Sequence, residues 1–291
     1  MREELRPYRL FILACAGAVV CAGLFGANQP YLLLAYCLFI LIAGLPHGAY
    51  DIYIIRALYP GKPFALALGG YLALIVLSVF FWLYAPSLFL VSFLLYSAYH
   101  FGDSDQPNAS RLNKWAWGSA IIALPCATAP EAVGVLFAAI IGGADSHWLV
   151  AAFGYLALPA VFLSGVLKSA GKPARPIILG LLFGYTLACS VGGPLLGFAC
   201  YFAFLHGPQH LKRWQQRLGH RSPILVYALS LLVLGVVAAA VLWAPQFSGS
   251  ELDPTNSSMV RYTFVALAAL TVPHMTFLFL ASRKLPGTLH A

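Results

Sequence analysis

Long apolar runs recur from end to end of the chain, separated by short segments that hold charged residues, glycine and proline. Runs of about 18 or more apolar residues are long enough to cross roughly 30 Å of hydrocarbon as α-helices. The pattern predicts an all-α, polytopic transmembrane bundle of about ten spans. The predicted spans are residues 8–26, 30–49, 64–84, 86–101, 115–129, 148–168, 176–192, 194–211, 223–244 and 261–281.

Composition agrees with a membrane protein. Of the 291 residues, 61% are apolar and only 9% are charged, against about 45–50% apolar residues in ordinary soluble domains. We therefore interpret residues 1–291 as a single membrane domain.

Two apolar segments need separate interpretation. Residues 8–26 follow three arginines and resemble a signal peptide at that end, but the run is too long for a typical signal-peptide core and lacks a convincing cleavage site. We interpret it as a retained first helix. Residues 131–143 are apolar but short, which favours an interfacial or re-entrant piece.

The net charge of +8 is explained by topology. With the N-terminus inside, every basic residue in the loops except Arg261 falls on the inner side, whereas Glu131, Asp145, Glu251 and Asp253 fall on the opposite side. The positive-inside rule then predicts cytoplasmic termini and a multi-pass protein of the cell (inner or plasma) membrane. Because the basic residues are divided among separate loops, no nucleic-acid partner is indicated.

Histidines at membrane depth are the main chemical signal. Ionisable groups there are costly and usually functional. Counting to the next basic residue on the inner side gives six to eleven positions, which predicts one histidine layer in the cytoplasmic half. Ligands of one buried ion must share a depth, whereas independent core histidines need not. The histidines within or at the ends of apolar spans are His47, His100, His206, His210 and His274.

His206 and His210 are four positions apart, which places both rings on one helical face. Pro208 lies between them and can distort that turn. Pro46 and Pro273 directly precede two other histidines of the layer. Irregular backbone at depth is tolerated beside protein-lined cavities, although ordinary proline kinks are the alternative.

Carboxylates occupy positions suited to hold metal-bound imidazoles. Asp51 follows His47 by four positions, and Asp103 follows His100 by three. Metal-bound histidines commonly donate their other ring N–H to such groups. The alternative is that Asp51, Asp103 and Asp105 are solvated residues at the cytoplasmic surface.

The donor set limits the metal. Neutral imidazoles suit iron, copper, zinc or nickel, and the six cysteines form no Cys-x-x-Cys pair. An all-histidine centre in an apolar bundle fits binding of dioxygen beside an apolar substrate.

Aromatic residues near the histidine layer could line a slot for a flat, rod-like polyene, although membrane helices are aromatic in any case. These residues are Tyr50, Tyr53, Tyr96, Tyr99, Phe101, Tyr201, Phe202 and Phe204.

Four strings carry a resemblance to a known family: GLPHGAYD (44–51), YHFGD (99–103), FLHGPQH (204–210) and VPHM (272–275). Their order and spacing resemble the Brp/Blh family of bacteriorhodopsin-related membrane β-carotene 15,15′-dioxygenases. The resemblance implies an Fe(II) enzyme that uses dioxygen as co-substrate to cleave the central double bond of β-carotene into two retinal molecules. It also implies that the carotenoid enters from the lipid bilayer and that retinal supplies a rhodopsin.

The resemblance places the family's metal-binding, catalytic histidines at His47, His100, His206 and His210. It makes His274 a companion near the site and leaves open whether it is a ligand.

Three other functions remain as alternatives. Another membrane histidine-metal oxidase or hydroxylase with two irons should carry more clustered histidines than the single pair at 206 and 210. A haem-binding electron carrier should place two histidines on facing helices. A transporter that relays protons through histidines should show a broken-helix repeat, which the sequence lacks.

Overall fold

The computed structural model describes residues 4–26, 30–167, 175–218, 223–243 and 254–284. Within these ranges the protein is entirely helical, as predicted, with a 3-10 turn at Arg6–Tyr8 and a π-helical turn at Phe202–His206. The α-helices are α1 (Arg9–Phe25), α2 (Pro30–Ala49), α3 (Asp51–Leu58), α4 (Pro63–Tyr84), α5 (Pro86–Asp105), α6 (Arg111–Thr128), α7 (Pro130–Ile141), α8 (His147–Tyr155), α9 (Ala157–Val166), α10 (Arg175–Gly192), α11 (Pro194–Tyr201), α12 (Gly207–Leu218), α13 (Pro223–Trp243) and α14 (Pro254–Lys284).

Proline and serine mark where several of these helices begin. Pro63, Pro86, Pro130 and Pro194 stand at the start of α4, α5, α7 and α11. Proline suits this position because its fixed φ matches the helix and its missing N–H would have no partner within the helix. Ser110 caps α6, since its side chain accepts a hydrogen bond from the backbone N–H of Asn113.

Seven helices of the described chain are long and apolar enough to cross a membrane, or eight if the bent pair α6 and α7 counts as one span. Large apolar side chains on their outer faces are exposed, among them Leu66 at 82% and Leu158 at 83%. Such a surface needs lipid to cover it. The protein is therefore a multi-pass membrane protein. The seven are 6–25, 32–58, 63–84, 147–166, 175–192, 224–243 and 256–284.

The remaining predicted spans differ for identifiable reasons. The span predicted at 86–101 lies in α5, whose C-terminal end carries polar residues that include Ser97, His100 and Asp105. The span predicted at 194–211 is divided into α11, the π turn and the polar helix α12. Residues 131–143 correspond to α7, which is bent by 110° from α6 and fits a broken span or a re-entrant loop.

Helices α5 and α6 approach each other so closely that glycine is required on both. A Cβ at Gly118 of α6 would overlap the backbone carbonyl of Ala98, and a Cβ at Gly102 of α5 would overlap the backbone carbonyl of Lys114. Helix backbones can come this close only where side chains are absent. This contact fixes the polar end of α5, which carries His100.

The first helix is part of the packed core. Phe11 and Cys15 of α1 are buried in the main hydrophobic cluster, and α1 packs against α10 and α11. On the other side of the bundle, α14 packs against α2, α3 and α4. Helix α12 contacts α2 and α5, and α14 contacts α2 and α5, so these four helices surround one interior site.

We predict that Gly118→Ala lowers stability by about 1–3 kcal/mol, because the added methyl group forces α5 and α6 apart. Gly235→Ala is the matched control, since its Cβ would meet no atom within 4 Å. The measurement is the apparent unfolding temperature in detergent. Equal unfolding temperatures for the two variants would contradict the close contact.

Candidate metal centre

Four of the five predicted histidines meet in the interior. His100 lies on α5, His206 ends the π turn, His210 lies on α12 and His274 lies on α14, and each is at most 4% exposed. The ring centroid of His100 is 4.8 Å from that of His206, 5.7 Å from that of His210 and 5.3 Å from that of His274. Helices that are far apart in sequence therefore place their histidine rings next to one another.

Three of these side chains form a group that could hold a metal ion. His100, His210 and His274 each offer a ring nitrogen, and these atoms lie within 4.8 Å of one another. The fourth ring adjoins the group, because Nε2 of His206 lies 3.2 Å from Nε2 of His100. His274, predicted only as a companion, is thus a member of the group. His47 lies in α2, but its side chain is outside the described residues.

A π-helical turn sets the positions of His206 and His210. The backbone N–H of Gly207 donates to the carbonyl of Phe202, a wider turn than in an α-helix. Pro208, in the next turn, has no N–H to donate. The two rings nevertheless remain on one side of the segment, with centroids 6.0 Å apart and planes inclined by 30°. The predicted shared face is kept despite the proline.

Asp51 is hydrogen-bonded to the ring nitrogen Nδ1 of His274. Nδ1 of His274 lies 2.7 Å from Oδ1 of Asp51, and the Tyr71 hydroxyl donates to Oδ2 at 2.8 Å. All three side chains are buried. The sequence predicted that Asp51 would hold His47, four positions away. In the structure the carboxylate of Asp51 is hydrogen-bonded to His274, which lies on another helix. A carboxylate on Nδ1 keeps the proton there, so Nε2 carries the lone pair that binds a metal.

Ser104 and Arg213 hold His210. Nδ1 of His210 lies 2.9 Å from Oγ of Ser104, which also accepts a hydrogen bond of 3.0 Å from Nη2 of Arg213. Burial lowers the pKa of Arg213 below its ordinary value, and the charges of Asp103 and Asp105 oppose that shift. With two lone pairs, Oγ can accept from both partners. The ring of His210 is thereby fixed with Nε2 toward the other histidines.

Asp105 is the carboxylate beside His206. Its Oδ1 lies 3.0 Å from Nδ1 of His206, and its Oδ2 accepts from the Tyr201 hydroxyl at 2.6 Å and from Nε1 of Trp117 at 2.9 Å. The sequence favoured Asp103 for such a role, but Asp103 is 44% exposed and forms an ion pair with Lys114 at 2.7 Å.

Several partners of the histidines carry no signal in the sequence. Ser104, Tyr71 and Trp117 reach the site from other helices or other turns, and neither type nor spacing distinguishes them from ordinary core residues. The contacts arise only when the helices pack.

An apolar cavity of about 360 Å³ adjoins the histidines. His100, His274, Asp51 and Tyr71 form its polar wall, and the rest is lined mainly by aliphatic and aromatic side chains from α2, α3, α4, α5, α11, α13 and α14. Its volume lies within the range of about 300–1,000 Å³ typical of small-molecule sites. We call it the main cavity. Its aromatic residues are Tyr71, Phe93, Phe101, Phe198 and Phe202.

Of the eight aromatic residues named for a substrate slot, Phe101 and Phe202 line the main cavity, and the other six do not. Tyr201 is bonded to Asp105, and Tyr96 is half-buried on α5. The others pack in pairs: Tyr50 with Tyr53, Tyr99 with Trp115 and Phe204 with Phe39.

The donor set fits a divalent transition metal. Three imidazoles are gathered in the buried interior, and the Nδ1 atoms of His210 and His274 are held by other side chains. Imidazole nitrogen in such a setting binds iron, copper, zinc or nickel.

Comparison with known proteins identifies the family of the chain. A family model for beta-carotene 15,15′-dioxygenase matches residues 38–280. A beta-carotene 15,15′-dioxygenase from uncultured marine bacterium 66A03 is 27% identical over 258 residues, which cover 84% of this chain and 92% of that protein. No solved structure matches the chain. Since the matched region includes every histidine of the site, the chain belongs to the β-carotene 15,15′-dioxygenase family.

Proposed function

We propose that this protein is an Fe(II) enzyme that uses dioxygen to cleave the central double bond of β-carotene into two molecules of retinal. The observation that carries the proposal is a buried group of three histidines, two of which, His100 and His274, line an apolar cavity, in a chain of this family. An apolar cavity suits a hydrocarbon substrate, and a metal held beside it could activate dioxygen for the oxidation.

The reaction balances without an external reductant. The central C=C bond and the O=O bond break, and two C=O bonds form, so each retinal receives one oxygen atom. Bound iron supplies the activation of dioxygen that an unassisted polyene lacks. The chain's own task is to bind the polyene, to exclude water and to hold one of many similar double bonds beside the metal.

We assign the metal ligands to His100, His210 and His274, with His206 and His47 completing or flanking the set. The three-histidine group and the anchored Nδ1 atoms support this assignment. Segment 44–49 of α2 also borders the main cavity through Gly44, Leu45 and Gly48, which supports a place for His47 near the site.

The carotenoid reaches the site sideways from the bilayer in this proposal. Leu72 of α4 and Leu232 of α13 line the main cavity and are 54% and 63% exposed on the outer surface. A substrate dissolved in lipid can enter between these helices without crossing water.

The positive-inside distribution of charge supports cytoplasmic termini and a metal layer in the cytoplasmic half of the cell membrane. Retinal released there would be available to a rhodopsin in the same membrane.

The test of the function is conversion of β-carotene by the purified protein under ¹⁸O₂, with immediate reduction of the aldehydes to prevent oxygen exchange. We expect two retinal molecules for each β-carotene, labelled oxygen in both, and about one iron per chain. Absence of retinal, or full activity in protein free of metal, would contradict the proposal.

The ligand assignment predicts that His100→Ala, His210→Ala and His274→Ala each reduce bound iron strongly, because each removes a donor from the group. His147→Ala is the control, since His147 is exposed at the start of α8. Iron per chain is measured by elemental analysis of purified protein. Wild-type iron content in the His274→Ala protein would remove His274 from the ligand set.

Asp51→Asn should weaken metal binding by about 10–100-fold, because the amide removes the charge that supports His274 while keeping the side chain's shape. Asp103→Asn is the matched control, since Asp103 pairs with Lys114 and is 44% exposed. The measurement is iron retained during titration with a chelator. Equal retention by both variants would show that Asp51 does not support the metal.

A further inference from the structure

A second apolar cavity lies behind the main one. It has a volume of about 90 Å³ and is bounded by α5, α6, α7, α10, α11 and α14. Four residues line both cavities and therefore separate them: Phe93, Ser97, Phe101 and Phe198. We call these residues the shared wall and the space behind them the rear cavity.

The shared wall adjoins the histidines directly. The Phe101 ring centroid is 5.9 Å from that of His100 and 4.9 Å from that of His206. Phe198 stacks on Phe202 at 5.5 Å, and Phe202 stacks on His206 at 5.5 Å. A rod that passes the histidines and continues inward therefore meets this wall.

The rear cavity is too small to be an independent site, since typical small-molecule sites occupy about 300–1,000 Å³. Its lining is almost entirely apolar, with Ile121, Ile122, Leu136, Phe137 and Phe264 among the side chains. Phe93 and Phe198 are half-buried and line both cavities. Rotation of such rings would join the two cavities.

Central cleavage places a geometric demand on the site. Half of a symmetric polyene must extend beyond the metal on each side. The main cavity, with its lipid-facing residues Leu72 and Leu232, provides space on one side of the histidines. The rear cavity is the apolar space that adjoins it at the shared wall.

We propose that the rear cavity receives the far end of the polyene, so that its depth selects the double bond that lies beside the histidines. This inference rests on the proposed function. Leu136 of α7 and Ile122 of α6 line only the rear cavity and thus determine that depth.

The test is the product pattern of Leu136→Phe and Ile122→Phe. Filling the rear cavity should hold the substrate back toward the lipid side and move the attacked bond away from the centre. We expect one aldehyde shorter and one longer than retinal, again with one oxygen atom of dioxygen in each, and a fall in retinal formation of about tenfold. Leu136→Ala, which deepens the cavity, should let the polyene move further inward and should also raise the share of off-centre aldehydes.

The control is Ile140→Phe, which is the same kind of enlargement on α7 at a buried position that lines neither cavity. The ratio of the longer aldehyde to retinal is read by chromatography, so it does not depend on how much protein folds. Bound iron is measured in the same samples.

The outcomes separate the two proposals. If the wild-type protein forms no retinal, the proposed function fails. If the wild-type protein forms retinal and both Leu136→Phe and Ile122→Phe form retinal alone at the wild-type rate, the role of the rear cavity is overturned. Longer aldehyde from Ile140→Phe at the same ratio would also overturn it.

Discussion

The structure depends on one constraint: each buried histidine ring needs a hydrogen-bond partner within the protein. A polar ring in an apolar bundle is costly unless its N–H finds a partner. Here His274 is held by Asp51, His206 by Asp105 and His210 by Ser104. Two of these partners are held by residues from further helices, Tyr71 and Trp117, and Ser104 is held by Arg213 of α12, the helix that carries His210. The polar network thus ties together α3, α4, α5, α6, α12 and α14.

The positions of the polar network explain why some helices are polar and interior while others are apolar and face lipid. Three of the four histidines lie on α5, the π turn and α12, segments that are too polar or too short to qualify as apolar spans. Helices α4 and α13 carry the strongest apolar character and have mostly exposed leucine and valine side chains. They therefore shield the polar segments from lipid, and the main cavity lies between the two kinds of helix.

The sequence predicted the helical class, most spans and one layer of five histidines, four of which the structure brings together, because hydropathy and depth are properties of single helices. It could not predict which carboxylate meets which histidine. Asp103 lies closer to His100 in sequence than Asp105, yet Asp105 reaches His206, because the glycine contact between α5 and α6 fixes how α5 is turned. The aromatic residues show the same limit, because proximity to the histidine layer in sequence does not tell which side of a helix faces the cavity, and of the eight named residues Phe101 and Phe202 line the main cavity.

The π turn at Phe202–His206 makes chain length, as well as residue type, a condition for the centre. A π turn holds about one residue more than an α-helical turn. Loss of one residue there would rotate α12 by about 100° about its axis relative to α11. His210 would then leave the group, and Arg213 would no longer reach Ser104. Relatives that keep this centre should therefore show no insertions or deletions between residues 202 and 206, even where individual side chains vary.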